Sequence, residues 1–190
     1  MKRKRPLVIA LDGRCGSGKS TLSRRLSDTY PCSVIHMDDF FLRPEQRTEE
    51  RLSEAGGNID YERFEEEVIR PLREGKEWFE YRRYDCSLKR LSKTVRIQER
   101  PLIVIEGVYS CHPRFCGVYD LKIFMDIDRQ EQKTRIQKRS GDRMLSRFIH
   151  EWIPREEAYF DAFCIKESCD ILLDGRSFPP VLVSCQEAGG

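Results

Sequence analysis

The stretch LVIALDGRCGSGKSTLSRRL, residues 7–26, combines three local patterns in a fixed order. Its first five residues are apolar and predict a buried strand. Near its end, Leu22 and Leu26 are four residues apart and predict one face of a helix. Between them, residues 13–20 match G-x-x-x-x-G-K-[ST], the pattern of a phosphate-binding loop between a strand and a helix. The stretch therefore predicts a site for a nucleoside triphosphate.

The residue types of this loop suit phosphate binding. Its three glycines let the main chain direct several N–H groups at one anion, and the following helix adds the positive end of its dipole. Lys19 brings a charge to the outer phosphates, and the Ser20 hydroxyl is predicted to bind Mg²⁺. A glycine-rich turn with a chance lysine is the alternative. The predicted ATP-binding residues are Gly13, Arg14, Cys15, Gly16, Ser17, Gly18, Lys19, Ser20 and Thr21.

Composition limits the classes of protein that fit. The chain has 190 residues, which suits one domain, and its 34 basic and 32 acidic residues give a net charge of +2. That balance gives no general argument for a nucleic-acid partner. No apolar stretch approaches the roughly 20 residues of a membrane span, and the basic residues 1–6 are expected to form a solvated tail rather than a signal peptide. We expect a cytoplasmic protein that acts on a small molecule without a membrane partner.

The cysteines are expected to be free thiols. The sequence has eight of them, without a C-x-x-C pair. A compartment rich in ATP is reducing, so we predict no disulfide and mostly buried thiols. With only three histidines, a zinc site is not expected.

Two further apolar runs end in carboxylates. The run 32–37 leads into Asp38 and Asp39, and the run 101–105 leads into Glu106. Ligands of open parallel sheets bind at the carboxyl ends of strands. If the strand before Asp38 neighbours the first strand, Asp38 faces the transferred phosphate and serves as a general base. Glu106 is predicted to hold Mg²⁺. A helix cap, a surface turn or a structural carboxylate are the alternatives.

The rest of the chain predicts an insert and a lid. Aromatic residues alternate with arginines in 76–97, which predicts a hairpin within a small substrate lobe of about residues 42–100. Residues 129–147 are rich in bases, and Arg135 and Arg139 are one helical turn apart, so we predict a lid whose arginines act on the transferred group. A plain solvated helix is the alternative. The predicted fold is a single α/β P-loop domain, residues 1–190, with three layers, about five parallel strands and helices on both faces.

Several of these motifs resemble the uridine kinase-like branch of P-loop kinases, which includes nicotinamide riboside kinases. The segment 37–41, MDDFF, is similar to the family's Q-D-[DS]-F-[FY], and 105–107, IEG, is similar to its Walker-B motif. The resemblance implies that Asp38 is the catalytic base. It also implies that Asp60, in a segment similar to N-F-D, holds ribose hydroxyls, and that Tyr84, in a segment similar to P-x-Y-D, helps to hold the base of the substrate.

The sequence also departs from this family. Met37 replaces a glutamine, and no histidine follows Tyr84 and Asp85, where uridine kinases recognise the pyrimidine. We predict a phosphotransferase that uses ATP and Mg²⁺ to phosphorylate an alcohol group, most simply of a nucleoside. A kinase for pantothenate or a sugar phosphate, or a regulatory ATP-binding protein with slow hydrolysis, are the alternatives. The resemblance also makes a homo-oligomer compatible with the sequence.

Overall fold

The fold alternates strands and helices within residues 5–186, the part of the chain that the computed structural model describes. The strands are β1 (Leu7–Gly13), β2 (Cys32–His36), β3 (Trp78–Asp85), β4 (Arg90–Gln98), β5 (Leu102–Glu106), β6 (Leu121–Asp126), β7 (Ile171–Asp174) and β8 (Val181–Cys185). The helices are α1 (Lys19–Thr29), α2 (Glu49–Ser53), α3 (Tyr61–Phe64), α4 (Arg70–Arg73), α5 (Arg129–Arg147), α6 (Ile153–Phe163) and α7 (Ile165–Ser168). Single π-helical segments, Glu65–Ile69 and Phe148–Trp152, connect α3 to α4 and α5 to α6.

A six-stranded sheet forms the centre of the molecule, in the order β2-β5-β1-β6-β7-β8. Its first five strands are parallel, as predicted, and β8 is an antiparallel edge strand. The order also corrects one expectation. β2 does not neighbour β1, because β5 lies between them. The carboxyl end of β5 therefore separates the phosphate loop from the two aspartates that follow β2.

Both faces of the sheet are covered, as the alternation of side chains along β1 shows. Val8 and Ala10 belong to one core cluster, which includes residues of α3 and α6. Ile9 and Leu11 belong to a second cluster, against which Leu22 and Leu26 of α1 pack. Because successive strand residues point to opposite faces, these two clusters lie on opposite sides of the sheet. The result is the predicted three-layer arrangement.

The hairpin of β3 and β4 forms a separate two-stranded antiparallel sheet between α4 and β5. An irregularity in its register lies between Arg82 and Tyr84. This shift leaves both Tyr81 and Tyr84 buried, although strict alternation from Tyr81 would turn Tyr84 to the other face. The hairpin contacts the segment Met37–Phe40, so it lies beside the aspartates.

The predicted lid is one long helical element with a break. α5 covers the predicted 129–147, but Gly141 inside it has φ 76° and ψ 170°, which is not helical. Only glycine adopts such a conformation at low cost. Gly141 therefore interrupts the helical element, while the lid function stays a prediction.

The cysteines are free, as predicted, but the expectation that most are buried was wrong. Cys111 and Cys169 are buried, Cys15 and Cys32 are partly buried, and the other four are exposed. Several exposed cysteines lie in turns or on the edge strand β8, which a composition argument cannot locate. Residues 1–4 of the predicted tail lie outside the described residues. Within residues 5–186, no helix is long and apolar enough to cross a membrane.

One buried carboxylate connects the end of β1 to its surroundings. Asp12 accepts hydrogen bonds from the main-chain N–H groups of Gly13 (2.7 Å), Tyr109 (3.2 Å) and Cys111 (2.9 Å) and from the hydroxyl of Tyr159 (2.9 Å). Burial raises the pKa of Asp12, and these donors and Lys19 oppose that shift. Such a group is stable in the interior only when it is well hydrogen-bonded.

We expect Tyr159→Phe to lower the free energy of unfolding by about 1.5–3 kcal/mol, because it removes a donor to a buried carboxylate. Urea unfolding followed by circular dichroism measures the change. Tyr119→Phe is the matched control. It removes a buried hydroxyl that has no hydrogen-bond partner within residues 5–186, so it should not destabilise the protein. Equal losses in both variants would contradict this role of Tyr159.

Candidate active site

The phosphate loop is shaped by glycines between β1 and α1. Gly13 has φ 129° and Gly18 has φ 105°, in the region that favours glycine. A Cβ atom at Gly13 would overlap the main-chain oxygen of Met125 in β6. Gly18 is the N-cap of α1 and provides no side-chain cap. The N–H groups of the first turn are therefore left without a side-chain acceptor from the cap, as an anion site requires.

Lys19 lies within the curve of this loop. Its Nζ donates to the carbonyl oxygens of Gly13 (2.7 Å) and Arg14 (2.9 Å), and the residue is buried. Its charge acts on the nearby carboxylates of Asp38 and Glu156, where it opposes the rise of their pKa values. Two carbonyl oxygens of the loop thus hold the ammonium group, while its charge acts on the carboxylates of Asp38 and Glu156.

The start of α1 and the end of β5 meet at two oxygen-bearing side chains. The Ser20 hydroxyl donates to the Glu106 carboxylate, with Oγ 3.2 Å from Oε1 and 3.3 Å from Oε2. On the other side, His36 Nδ1 lies 2.5 Å from Glu106 Oε1. The register of β2 on β5 pairs His36 with Glu106 directly. This hydrogen bond raises the pKa of His36.

The chemistry of this pair fits Mg²⁺. A hydroxyl and a carboxylate oxygen are hard ligands, and Mg²⁺ is usually held by one or two protein oxygens together with water and phosphate oxygens. Within residues 5–186, no group of three or more His, Cys, Asp and Glu side chains forms a complete metal site. The role of Ser20 and Glu106 as Mg²⁺ ligands stays a prediction.

The two adjacent aspartates have different environments. Asp39 is buried, and its carboxylate accepts a hydrogen bond from the Tyr81 hydroxyl (2.8 Å) and pairs with Arg83 Nε (2.9 Å). Asp38 is accessible to solvent and accepts no hydrogen bond from residues 5–186. Desolvation by the protein around it, followed by the charge of Glu106, raises the pKa of Asp38. Asp39 is thus already occupied, whereas Asp38 is free to accept a proton.

Asp60 is linked to the aspartate pair by one guanidinium group. It caps α3, with Oδ1 3.1 Å from Arg63 N and Oδ2 3.3 Å from Arg63 Nε. The same side chain donates to the carbonyl oxygens of Asp39 (2.9 Å) and Arg82 (2.5 Å) and lies 4.4 Å from the ring centre of Phe40. Arg63 thus fixes Asp60 relative to the end of β2.

Tyr84 is buried in the hairpin opposite Leu91, and burial raises its pKa. Within residues 5–186 its hydroxyl donates to neither aspartate. Its predicted contact with the substrate stays a prediction.

The structure separates the two predicted lid arginines. Arg135 donates to the carbonyl oxygens of Gly16 (3.4 Å), Gly175 (2.8 Å) and Arg176 (2.7 Å). It therefore ties the loop after β7 to the phosphate loop. Arg139 is exposed, lies 5.8 Å from the ring centre of Phe148, and makes no contact with the phosphate loop within the described chain. Whether either acts on a phosphoryl group stays a prediction.

Four residues of this site were missed by the sequence analysis: His36, Arg63, Tyr81 and Arg83. A partial signal existed for two of them. Arg63 follows Asp60 by three residues, the spacing of neighbours on a helix. Tyr81 is two residues after Phe79 and shares its face of the strand. The contacts of His36 and Arg83 depend on which strands become neighbours.

Two cavities lie near these elements. A cavity of about 400 Å³ lies between residues 52–58, which lead to Asp60, and α6. A larger one, of about 720 Å³, lies between residues 66–71 and β3. Neither cavity is lined by a predicted site residue.

We expect an NMR titration to give His36 a pKa above its usual 6.5, and Glu106→Gln to return it towards that value. The stability that this bond contributes is full below about pH 6.5 and is lost as the pH rises through the higher pKa of the folded state. His112 is an internal control, since burial lowers its pKa to about 4 in both proteins. An unchanged His36 titration in Glu106→Gln would contradict the bond.

Comparison with known proteins places this chain in a family. A model described as "Phosphoribulokinase / Uridine kinase family" matches residues 8–144. The uridine kinase of Ureaplasma parvum is 28% identical over 181 residues, which cover 86% of this chain and 84% of that protein. The uridine kinase of Bacillus mycoides is 24% identical over 190 residues, which cover 91% and 87%.

Solved structures share the fold. One described as a possible uridine kinase from Bacillus stearothermophilus has a TM-score of 0.68 at 22% identity, covering 90% of each chain. The phosphoribulokinase from Rhodobacter spheroides has a TM-score of 0.59 at 16% identity, covering 90% of this chain and 70% of that one. Because the family match extends over most of the chain, this protein belongs to the phosphoribulokinase and uridine kinase family and is an ATP-dependent kinase that phosphorylates a hydroxyl group.

Proposed function

We propose that this kinase transfers the terminal phosphoryl group of Mg²⁺-bound ATP to a hydroxyl group of a nucleoside, with Asp38 as the general base. One observation carries the proposal. Of the two carboxylates after β2, Asp39 is occupied by Tyr81 and Arg83, while Asp38 is accessible and unpaired within residues 5–186. Asp38 also lies within electrostatic reach of Lys19 and Glu106, which belong to the phosphate and metal side of the site.

The direction of the pKa shift of Asp38 supports the role of a base. A general base is most effective when its pKa is close to the working pH, provided that it is deprotonated there. Desolvation raises the pKa of Asp38 above its ordinary value, whereas the charge of Lys19 limits the rise. Activity that depends on this base should be present above its pKa and fall as the pH drops through it.

The metal side of the proposal rests on Ser20 and Glu106. These residues would hold Mg²⁺, which when bound neutralises charge on the phosphates. His36 shares the Glu106 carboxylate, so its release from that carboxylate would leave an oxygen free for the ion. Ser20 is already within hydrogen-bond distance of the same carboxylate, which places both oxygen ligands together.

The acceptor side rests on Asp60 and Tyr84. Arg63 holds the Asp60 carboxylate beside the backbone of Asp39, and a carboxylate can accept bonds from the paired hydroxyls of a sugar ring. The similarity to uridine kinases supports a nucleoside as the acceptor.

The arginines of the insert bear on the sugar-phosphate alternative. Arg51 is already bound to Glu62 and to the carbonyl oxygen of Ile59, and Arg43 is close to Glu45. Arg47 has a longer pairing, 3.9 Å from Glu151. Since two of these three cations are neutralised by near partners, the insert favours an uncharged acceptor.

An accessible, unpaired Asp38 is also unnecessary in a regulatory protein that only hydrolyses ATP.

The test is ADP release from Mg²⁺-ATP by the purified protein across nucleosides, pantothenate and sugar phosphates. We expect a nucleoside to stimulate release, and removal of Mg²⁺ by a chelator to abolish it. Lys19→Ala is the matched control, because stimulation that survives in it comes from a contaminating kinase. Stimulation by pantothenate or a sugar phosphate, but by no nucleoside, would overturn the acceptor assignment. Slow hydrolysis that no compound stimulates would favour the regulatory alternative.

A further inference from the structure

The first turns of α6 contact three positions at the start of the phosphate loop. Tyr159 donates to Asp12 at 2.9 Å, and Glu157 pairs with Arg14. On the same helix, Glu156 Oε2 accepts a hydrogen bond from the main-chain N–H of Cys15 at 3.1 Å. One helix therefore holds the loop at positions 12, 14 and 15.

Glu156 is the unusual member of this set, because it places a carboxylate in a buried position beside an anion-binding loop. Only 3% of the residue is exposed. Burial raises the pKa of Glu156, while Lys19 and the N–H of Cys15 oppose the rise. A carboxylate in such a place is costly to bury, so it requires a compensating interaction. Its hydrogen bond to the loop backbone provides one.

The same part of the loop is held from α5. Gln132 is buried, and its Nε2 lies 3.2 Å from Cys15 Sγ. Gly16 packs beneath Ile136 and the Cβ of Arg135. Cys15 is thus held by Glu156 from α6, through its backbone N–H and a further contact with its thiol, and by Gln132 from α5 through its side chain.

We propose that Glu156 is a positioning residue for ATP binding: through the N–H of Cys15 it fixes the first half of the phosphate loop in the shape that receives the phosphates. ATP binding then depends on a side-chain oxygen at position 156 that is long enough to accept a hydrogen bond from the N–H of Cys15. It does not depend on the negative charge of that side chain. The inference depends on the kinase family and the loop, and is independent of the identity of the acceptor.

The experiment measures the dissociation constant of ATP by calorimetry, without any acceptor, for three substitutions. Glu156→Ala removes the acceptor oxygen. Glu156→Asp keeps the charge but is one methylene shorter, and Glu156→Gln keeps the reach but removes the charge. Asp161→Asn is the matched control, because Asp161 is an exposed acid on the same helix. Urea unfolding of each variant reports stability separately.

We expect Glu156→Ala and Glu156→Asp to weaken ATP binding about tenfold or more, the size of one hydrogen bond to a charged group. Glu156→Gln and Asp161→Asn should bind ATP within about twofold of the parent protein. If Glu156→Ala does not fold, the difference in ATP dissociation constant between Glu156→Asp and Glu156→Gln tests the proposal. Equal binding by Asp and Gln variants, or weaker binding by Gln than by Asp, would overturn the proposal. A failed search for a nucleoside acceptor would leave these binding values unaffected.

Discussion

The buried carboxylate of Asp12 is the interaction on which the rest of the site depends. It joins the end of β1 to the loop after β5, through the N–H groups of Tyr109 and Cys111, and to α6, through Tyr159. Its bond to Gly13 N–H fixes the first residue of the phosphate loop. Loss of this carboxylate would leave several buried donors unsatisfied and release three elements from one another.

The order of the strands then decides which carboxylates meet. Because β5 lies between β1 and β2, Glu106 is placed between the phosphate loop and the aspartates. From that central position it contacts Ser20 on one side and His36 on the other. The charges of Glu106 and Lys19 both reach Asp38 and act on its pKa in opposite directions. The strand order thus produces a site with an occupied aspartate, a free aspartate and two neighbouring oxygen-bearing side chains, Ser20 and Glu106.

The sequence predicts local structure well and tertiary contacts only in part. The phosphate loop, the parallel strands and the long α5 follow from patterns of neighbouring residues, and short motifs indicate the family. Strand order, by contrast, depends on which surfaces pack together, so the position of β5 and the bond between His36 and Glu106 were not predictable from one chain. The register shift in the hairpin likewise keeps Tyr84 buried on the side of Tyr81, through an irregularity that has no sequence pattern. Asp12 was missed because a lone acid within an apolar strand does not reveal its future donors.

The central claim is that Asp38 accepts the proton of the acceptor, and a comparison of two isosteric variants tests it most directly. Turnover and ATP affinity are measured side by side for Asp38→Asn and Asp39→Asn. The account predicts that Asp38→Asn binds ATP as the parent protein does but loses turnover by about 10²–10⁴-fold. Asp39→Asn weakens the contacts with Tyr81 and Arg83. It should therefore lower the stability of the protein, and its turnover should fall less than that of Asp38→Asn. Full turnover in Asp38→Asn, or a larger loss in Asp39→Asn at equal folding, would contradict the account.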